Sequence, residues 1–205
     1  MRKRSQAGVS LIELIVASCV VGLLMIEIWG LARAGSRFYL RARSQSDIQR
    51  NSLLALRWIS RDLGEGSGIS FREYTTEGGT GQANNVSRAG IVFGSPTDTQ
   101  GNVSYDDRGK IMWNSVIGYY IEASDGALYR QQMMLPAPLA YAPTIDNDSH
   151  SPDILAGRPN PRLIARHIHS IETTQGPSDI LVKLVSRDKD IGFGITVQTR
   201  LEMKN

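Results

Sequence analysis

The stretch Val9–Ala32, VSLIELIVASCVVGLLMIEIWGLA, decides the fold class of this chain. At 1.5 Å per residue it forms a helix of about 36 Å, which is longer than the roughly 30 Å hydrocarbon core of a bilayer. The short basic head MRKRSQAG, residues 1–8, precedes it, and Arg33 follows it. The sequence therefore predicts that residues 9–32 cross a membrane as a single helix.

The basic head is predicted to be a leader peptide that is removed. A secretory signal peptide carries its small-residue cleavage site after the apolar run. In this chain the small residue at a boundary between polar and apolar sequence is Gly8, which lies before the run. A cut after Gly8 would remove residues 1–8 and keep the apolar helix, so the segment is unlike an ordinary signal peptide.

Glu13 is the first candidate functional residue. A carboxylate in an apolar membrane segment is costly unless it has a partner. The α-amine that a cut would create at Val9, on the same chain or on a neighbour, is a cation of matching charge. We therefore interpret Glu13 as a residue of charge pairing during assembly. The alternative is an uncleaved signal anchor with an accidental glutamate.

The stretch GVSLIELIVA, residues 8–17, resembles the class III leader of type IV pilins and pseudopilins, whose usual pattern is G-F-[ST]-L-[IVL]-E. The resemblance implies that a prepilin peptidase cuts between Gly8 and Val9 and methylates the new amine of Val9. It places Glu13 at the fifth mature position, where the family has its glutamate. Val9 departs from the usual Phe.

Two further positions of the apolar segment are less distinctive. Glu27 fits either the outer membrane interface or a pair with Arg33 or with another subunit's basic group. Gly30 stands where the family often has Pro, and glycine is a weaker helix breaker that still permits local extension. Charge does not orient the segment, because four arginines also follow it: Arg33, Arg37, Arg41 and Arg43. The resemblance is what places the globular domain outside the cytoplasm.

Residues 33–64 are predicted to continue the same helix with an amphipathic pattern. Apolar or small side chains recur at helical spacing on one face, and Gly64 is a plausible C-cap. The residues of this face are Ile48, Ser52, Ala55, Leu56, Ile59 and Leu63. We expect this half of the helix to pack against the rest of the chain.

Residues 65–205 are predicted to form an extracytoplasmic, β-rich globular domain. Loops are expected at 64–101, with two short strands at 69–74 and 89–94, and at 135–161, which is rich in Pro. The other predicted strands are 110–113, 116–123, 127–132, 167–174, 179–185 and 193–203. Asp125-Gly126 predicts a hairpin turn. The expected fold class is α+β: a long N-terminal helix, its first half spanning the membrane, packed on an antiparallel β-sheet as in pilins.

Three stretches of the chain, together with its closing strand, resemble W-type minor pilins and J-type minor pseudopilins of type II secretion. They are SLLALRWISRDLGEG at 52–66, WNSVIGYYIEASDGALYRQ at 113–131 and LIARHIHSIETT at 163–174. Cys19 is the single cysteine, so the paired cysteines of many major pilins are absent. The resemblance therefore implies a minor subunit rather than the major one.

The implied function is a structural subunit that assembles through its helix into a type IV pilus or a type II secretion pseudopilus, at the tip or in initiation. The implied partners are prepilin peptidase, other major and minor pilins or pseudopilins, and the inner-membrane assembly platform. The implied location is the bacterial inner membrane, crossed once, with the domain in the periplasm or outside, and then the pilus or pseudopilus. The alternative is a filament-tip adhesin or binding module that uses the Gly- and Pro-rich loops. Pilus, secretion and DNA-uptake systems share this protomer design, so the sequence does not separate them.

Charge and motifs disfavour other classes of function. Without residues 1–8, the 23 basic residues fall to 20, which equals the 20 acidic ones, so direct binding of nucleic acid is not expected. His167 and His169 are two apart on a predicted strand and would share a face, so a metal site there, with His150 or a distant carboxylate as the third ligand, is a minor alternative. Asp146-Asn147-Asp148 opens like a calcium loop, but Ser151 and Gly157 stand where an EF-hand needs Gly and Glu. We expect no cofactor, no metal and no catalytic site.

Overall fold

The computed structural model describes residues 10–66, 70–76, 86–176, 178–188 and 192–202. The chain divides into two compact units, residues 1–44 and 45–205. The helices are α1 (Leu11–Glu65), α2 (Asn147–His150) and α3 (Pro152–Ala156). The strands are β1 (Arg72–Tyr74), β2 (Gly90–Ser95), β3 (Ser104–Tyr105), β4 (Ile111–Glu122), β5 (Ala127–Leu139), β6 (Arg162–Ala165), β7 (Ile168–Gln175), β8 (Asp179–Arg187) and β9 (Gly194–Glu202).

The first unit, as far as it is described, is a helix without a break. Its apolar side chains are exposed, and Leu11 and Leu31 are each 78% accessible. This helix is long and apolar enough to cross a membrane, as the sequence predicts. Gly30 lies within regular helix. A single glycine costs a helix only about 1 kcal/mol, and the long apolar helix tolerates that cost.

In the second unit, α1 buries the face that its helical period predicts. Ile48, Ser52, Ala55, Ile59 and Leu63 are buried, and Leu56 packs beside them. The helix ends at Glu65, and Gly64 is a helical residue without a positive φ, so the predicted C-cap at Gly64 is wrong. Just after the end of the helix, the Gly66 N–H donates a hydrogen bond to the Leu63 carbonyl at 3.0 Å.

The larger sheet has the order β1-β2-β4-β5-β6, with β3 pairing to β4, and every pair is antiparallel. The hairpin between β4 and β5 confirms the turn predicted at Asp125-Gly126, and Gly126 has the positive φ of 65° that such a turn requires. The two strands predicted at 110–113 and 116–123 form one strand, β4, with an irregularity between Trp113 and Ser115.

The smaller sheet has the antiparallel order β7-β8-β9. Its buried residues join the core that α1 shares with the larger sheet. From the helix this core takes Ala55, Ile59 and Leu63; from the larger sheet Ile91, Phe93, Ile117 and Tyr119; and from the smaller sheet Ile171, Ile180, Val182 and Leu184. The predicted fold class is confirmed: a long N-terminal helix packs on an antiparallel β-domain.

The loop predicted at 135–161 is the main error of the sequence prediction. Strand β5 continues to Leu139, and the short helices α2 and α3 follow. Leu155 of α3 is fully buried, and its Cδ1 atom lies only 2.2 Å from where a Cβ on Gly118 would stand. The segment is therefore anchored by a buried side chain that packs against Gly118 of β4 and would have to shift for any larger residue there. Strand β6 was not predicted either, because four residues give too short a pattern.

Candidate functional site

The first turn of α1 is closed by a reciprocal pair of hydrogen bonds between Ser10 and Glu13. The Ser10 N–H donates to Oε2 of Glu13 at 2.9 Å, and the Glu13 N–H donates to Oγ of Ser10 at 3.3 Å. This is a capping box, which satisfies two of the backbone donors that a helix start leaves free. The sequence signal for it is Ser-x-x-Glu just before an apolar run, and this capping box was not predicted.

The capping bond occupies only part of the hydrogen-bonding capacity of the Glu13 carboxylate. An ionised carboxylate has two oxygens and about four acceptor sites. Glu13 is an exposed residue of this chain, so its charge is open to a second partner. The other predicted processing residues, Gly8 and Val9, lie outside the described residues. A helix start also favours a negative charge, because its backbone N–H groups point outward.

Around Glu13 the helix presents an apolar surface on all sides. The large apolar side chains that are at least half exposed on this segment are Leu11, Ile12, Leu14, Ile15, Val16, Val20, Val21, Leu23, Leu24, Met25, Ile26, Ile28, Trp29 and Leu31. Exposed apolar surface costs about 25 cal/mol per Å² in water. A helix that is hydrophobic all round is stable in lipid or inside a bundle of helices, and such an environment is what this segment requires.

The predicted pair between Glu27 and Arg33 is not formed. The Arg33 guanidinium lies over the ring of Trp29, 5.3 Å from its centroid, which is a cation–π contact. Within the described part of the chain, Glu27 makes no salt bridge. The other two interpretations of Glu27, at the membrane interface or paired with another subunit's basic group, stay predictions.

A buried polar cluster joins α1 to the larger sheet, and the sequence did not reveal it. Asp62 is 2% exposed, and its Oδ2 atom accepts from the Tyr119 hydroxyl at 2.7 Å and from Nε of Arg130. Its Oδ1 atom accepts from Nη2 of Arg61 at 3.2 Å. The carboxylate is thus bonded from both strands of the β4–β5 hairpin and from its own helix.

The electrostatics of this cluster favour a structural role. Burial, reinforced by the neighbouring Asp62 charge, raises the pKa of Tyr119 far above its ordinary value. Tyr119 therefore stays protonated and remains a hydrogen-bond donor at physiological pH. A buried carboxylate with a guanidinium and two further donors around it is satisfied, and its contacts bind the helix to the hairpin.

The histidines proposed as metal ligands do not share a strand face. His167 precedes β7 and has a positive φ of 64°, whereas His169 lies within the strand. Both imidazoles are exposed beside an open groove of about 570 Å³ that Glu122, Asp125 and Arg187 also line. Among the residues that the structure describes, no group of three or more His, Cys, Asp or Glu side chains could hold a metal ion.

His150 and Asp146, the third proposed ligand and the start of the proposed calcium loop, lie together at α2. Asp146 is the N-cap of α2, and its carboxylate accepts from the Ser149 N–H at 2.7 Å. His150 Nδ1 lies 3.5 Å from Oδ1 of Asp146. Hydrogen bonding to Ser149 lowers the pKa of Asp146 below its ordinary value. Capping thus accounts for Asp146 without a bound ion.

Comparisons of this chain with protein-family models, with curated proteins and with solved structures found no match in any of the three.

Proposed function

We propose that this chain is a minor pilin or minor pseudopilin. It is a structural subunit that prepilin peptidase processes and that assembles through its N-terminal helix into a type IV pilus or a type II secretion pseudopilus. The observation that carries the proposal is the exposed, apolar first part of α1, with Glu13 in its first turn. The later turns of this same helix pack on an antiparallel β-domain.

The apolar part of α1 supports the proposal because it suits two environments in turn. In the inner membrane, lipid covers the exposed side chains. In a filament, the same side chains pack against the equivalent helices of neighbouring subunits. A segment that only anchored a domain would need the apolar surface but not the acid at its start, since an unpaired acid there is costly.

The charge of Glu13 supplies the register between subunits. In hydrocarbon an unpaired charge costs several kcal/mol, so a subunit gains by moving until Glu13 meets a cation. The cleavage of the Gly8–Val9 bond creates that cation, the amine of Val9, which the same peptidase then methylates. The partners are the other pilins or pseudopilins and the inner-membrane assembly platform.

The experiment must separate the charge of Glu13 from its capping bond, because the structure shows both. Glu13→Gln removes the charge and keeps an amide oxygen that can accept from the Ser10 N–H. Ser10→Ala is the matched control, since it removes the hydroxyl of the capping box and keeps the charge. Each variant is expressed at the wild-type level, and its share in the sheared filament fraction is measured by immunoblot.

We expect Glu13→Gln to be cleaved normally and to enter filaments roughly tenfold less than wild type, because one lost charge pair exceeds the 1.4 kcal/mol that a tenfold change represents. Ser10→Ala should enter filaments nearly as well as wild type. If Glu13→Gln entered filaments as well as wild type, whatever the behaviour of Ser10→Ala, the charge of Glu13 would not be needed, and the proposed pairing would be contradicted.

A further inference from the structure

The part of α1 that directly follows the apolar segment is charged with one sign only. No acidic residue stands between Glu27 and Asp47. The basic residues in this interval are Arg33, Arg37, Arg41 and Arg43. All four are exposed, and within the described part of the chain none of them forms a salt bridge. This arginine segment, residues 33–43, therefore has a positive charge that the described chain does not balance.

The place of the arginine segment along α1 puts it at a membrane surface when residues 9–32 cross the bilayer. At 1.5 Å per residue, the Cα atoms of Arg33 and Arg37 lie about 1.5 and 8 Å beyond that of Ala32. The headgroup layer on each face of a bilayer is roughly 5–7 Å thick. Long side chains of a helix lean toward its N-terminus, so the guanidinium groups of Arg37 and Arg41 reach back toward the headgroups.

Arg33 shows this orientation directly. Its guanidinium lies 5.3 Å from the centroid of the Trp29 ring, which belongs to the turn nearer the N-terminus. Trp29 and Tyr39 are 64% and 65% exposed. Trp and Tyr are the aromatic residues that are enriched where a membrane meets water. Interface aromatics thus occur on the same stretch of helix as the unbalanced arginines.

Removal of the leader would leave the arginine segment as the basic flank of the apolar helix. The leader contains Arg2, Lys3 and Arg4, and no basic residue stands between Arg4 and Arg33. After a cut at Gly8, the basic side chains next to the apolar segment all lie at its C-terminal end. Contacts with anionic headgroups at that end would then hold the helix at its depth in the membrane.

We propose that the arginine segment binds the phosphate groups of anionic phospholipids in the leaflet that it meets. A guanidinium presents a planar fork of donors that matches phosphate, and basic segments beside a membrane helix are attracted to anionic lipid. Lipid is favoured over the acidic side chains of a neighbouring subunit because headgroups lie beside the segment before any neighbour is present. This inference rests on the proposed function only for the membrane crossing of α1.

The test compares two double variants of the full-length protein that lose the same charge. Arg37→Gln/Arg41→Gln removes two guanidinium groups of the arginine segment. Arg50→Gln/Arg57→Gln is the matched control, because these exposed arginines of α1 also lack a salt bridge among the described residues and belong to the second unit. Each protein, purified in a neutral detergent, is titrated with dioleoylphosphatidylglycerol or with zwitterionic dioleoylphosphatidylcholine. Native mass spectrometry measures the fraction of protein that retains lipid.

We expect wild type to retain phosphatidylglycerol at concentrations at which it loses phosphatidylcholine. Arg37→Gln/Arg41→Gln should bind phosphatidylglycerol at least fivefold more weakly, because each basic side chain near an anionic lipid surface contributes about a fivefold factor. Arg50→Gln/Arg57→Gln should bind it as wild type does. Equal binding by the two double variants, whether strong or weak, would overturn the inference, because the position of the arginines would then not matter.

The share of each variant in the sheared filament fraction separates a lipid from a protein partner. If Arg37→Gln/Arg41→Gln bound phosphatidylglycerol as wild type does but entered filaments less than the control, the arginines would pair with acidic side chains of a neighbouring subunit. The assignment to lipid would then be wrong. If wild type bound phosphatidylglycerol but was absent from filaments, the proposed function would fail and the lipid inference would stand.

Discussion

The Tyr119 hydroxyl donates to Oδ2 of Asp62 at 2.7 Å, so strand β4 is bonded to helix α1 at a point where both side chains are buried. Arg130 of β5 donates to the same oxygen. Two kinds of contact thus bind the helix to the β-domain: an apolar face with helical period, and one carboxylate that is hydrogen-bonded to the β4–β5 hairpin.

Removing this carboxylate should be far more harmful than removing one of its donors. Asp62→Ala leaves the Arg130 guanidinium and the Tyr119 hydroxyl buried without their acceptor, and such a loss costs about 3–5 kcal/mol. Tyr119→Phe leaves Asp62 bonded to Arg130 and Arg61 and should cost about 1 kcal/mol. Urea unfolding of both variants measures the two costs. Equal costs would show that the cluster adds little beyond packing.

The end of α1 gives a second prediction, because Gly64 lies in the helix. Gly64→Ala should stabilise the domain by up to about 1 kcal/mol, since alanine is the better helix former and a Cβ at Gly64 meets nothing within 4 Å. Gly90→Ala is the contrast, because its Cβ would lie 2.3 Å from the carbonyl oxygen of Tyr119. It should lower the thermal midpoint. If Gly64→Ala instead destabilised the domain, that result would support the left-handed C-cap that the sequence predicts at Gly64.

The third prediction concerns pH and Asp153. Burial raises the pKa of this carboxyl, but hydrogen bonds from Ser87 and Arg88 outweigh burial, so its pKa lies below the ordinary value of 3.8. The unfolded chain therefore binds the proton more readily. The stabilisation is present above the ordinary pKa and is lost as the pH falls through the lower pKa of the folded state.

Asp153→Asn should accordingly be less stable than wild type at pH 7 by roughly 1–2 kcal/mol. The difference between the two proteins should shrink below about pH 4, where the wild-type carboxyl begins to be protonated in the unfolded state. Unfolding in denaturant at pH 7, 4 and 3 checks both statements. A difference that does not change with pH would mean that the bonds from Ser87 and Arg88 do not depend on the charge.

The sequence predicted the parts of the fold that depend on local period. The buried face of α1 follows from helical spacing, and the β4–β5 turn follows from Asp125-Gly126. The buried state of Asp62 could not be predicted, because its partners Tyr119 and Arg130 lie 57 and 68 residues away in the chain. The short helices α2 and α3 could not be predicted either, because their packing involves a contact between two residues that are distant in the chain, Leu155 and Gly118.

The candidate site likewise has features that the sequence predicts and features that it does not. Glu13 was recognised because an acid in an apolar run is costly wherever the chain folds, and its capping bond to Ser10 was within reach of the sequence. The place of β9 at the edge of the smaller sheet could not be foreseen, because it depends on the order of the strands in space.

The most direct test of the central claim is the N-terminus of the chain that is recovered from the sheared filament fraction. Edman sequencing and intact mass of that material are compared with those of the same chain made without prepilin peptidase. A processed filament subunit begins at N-methylated Val9 and lacks residues 1–8. A chain that begins at Met1 in cells with active peptidase, or one that is cut elsewhere or is absent from the filament fraction, would contradict the account.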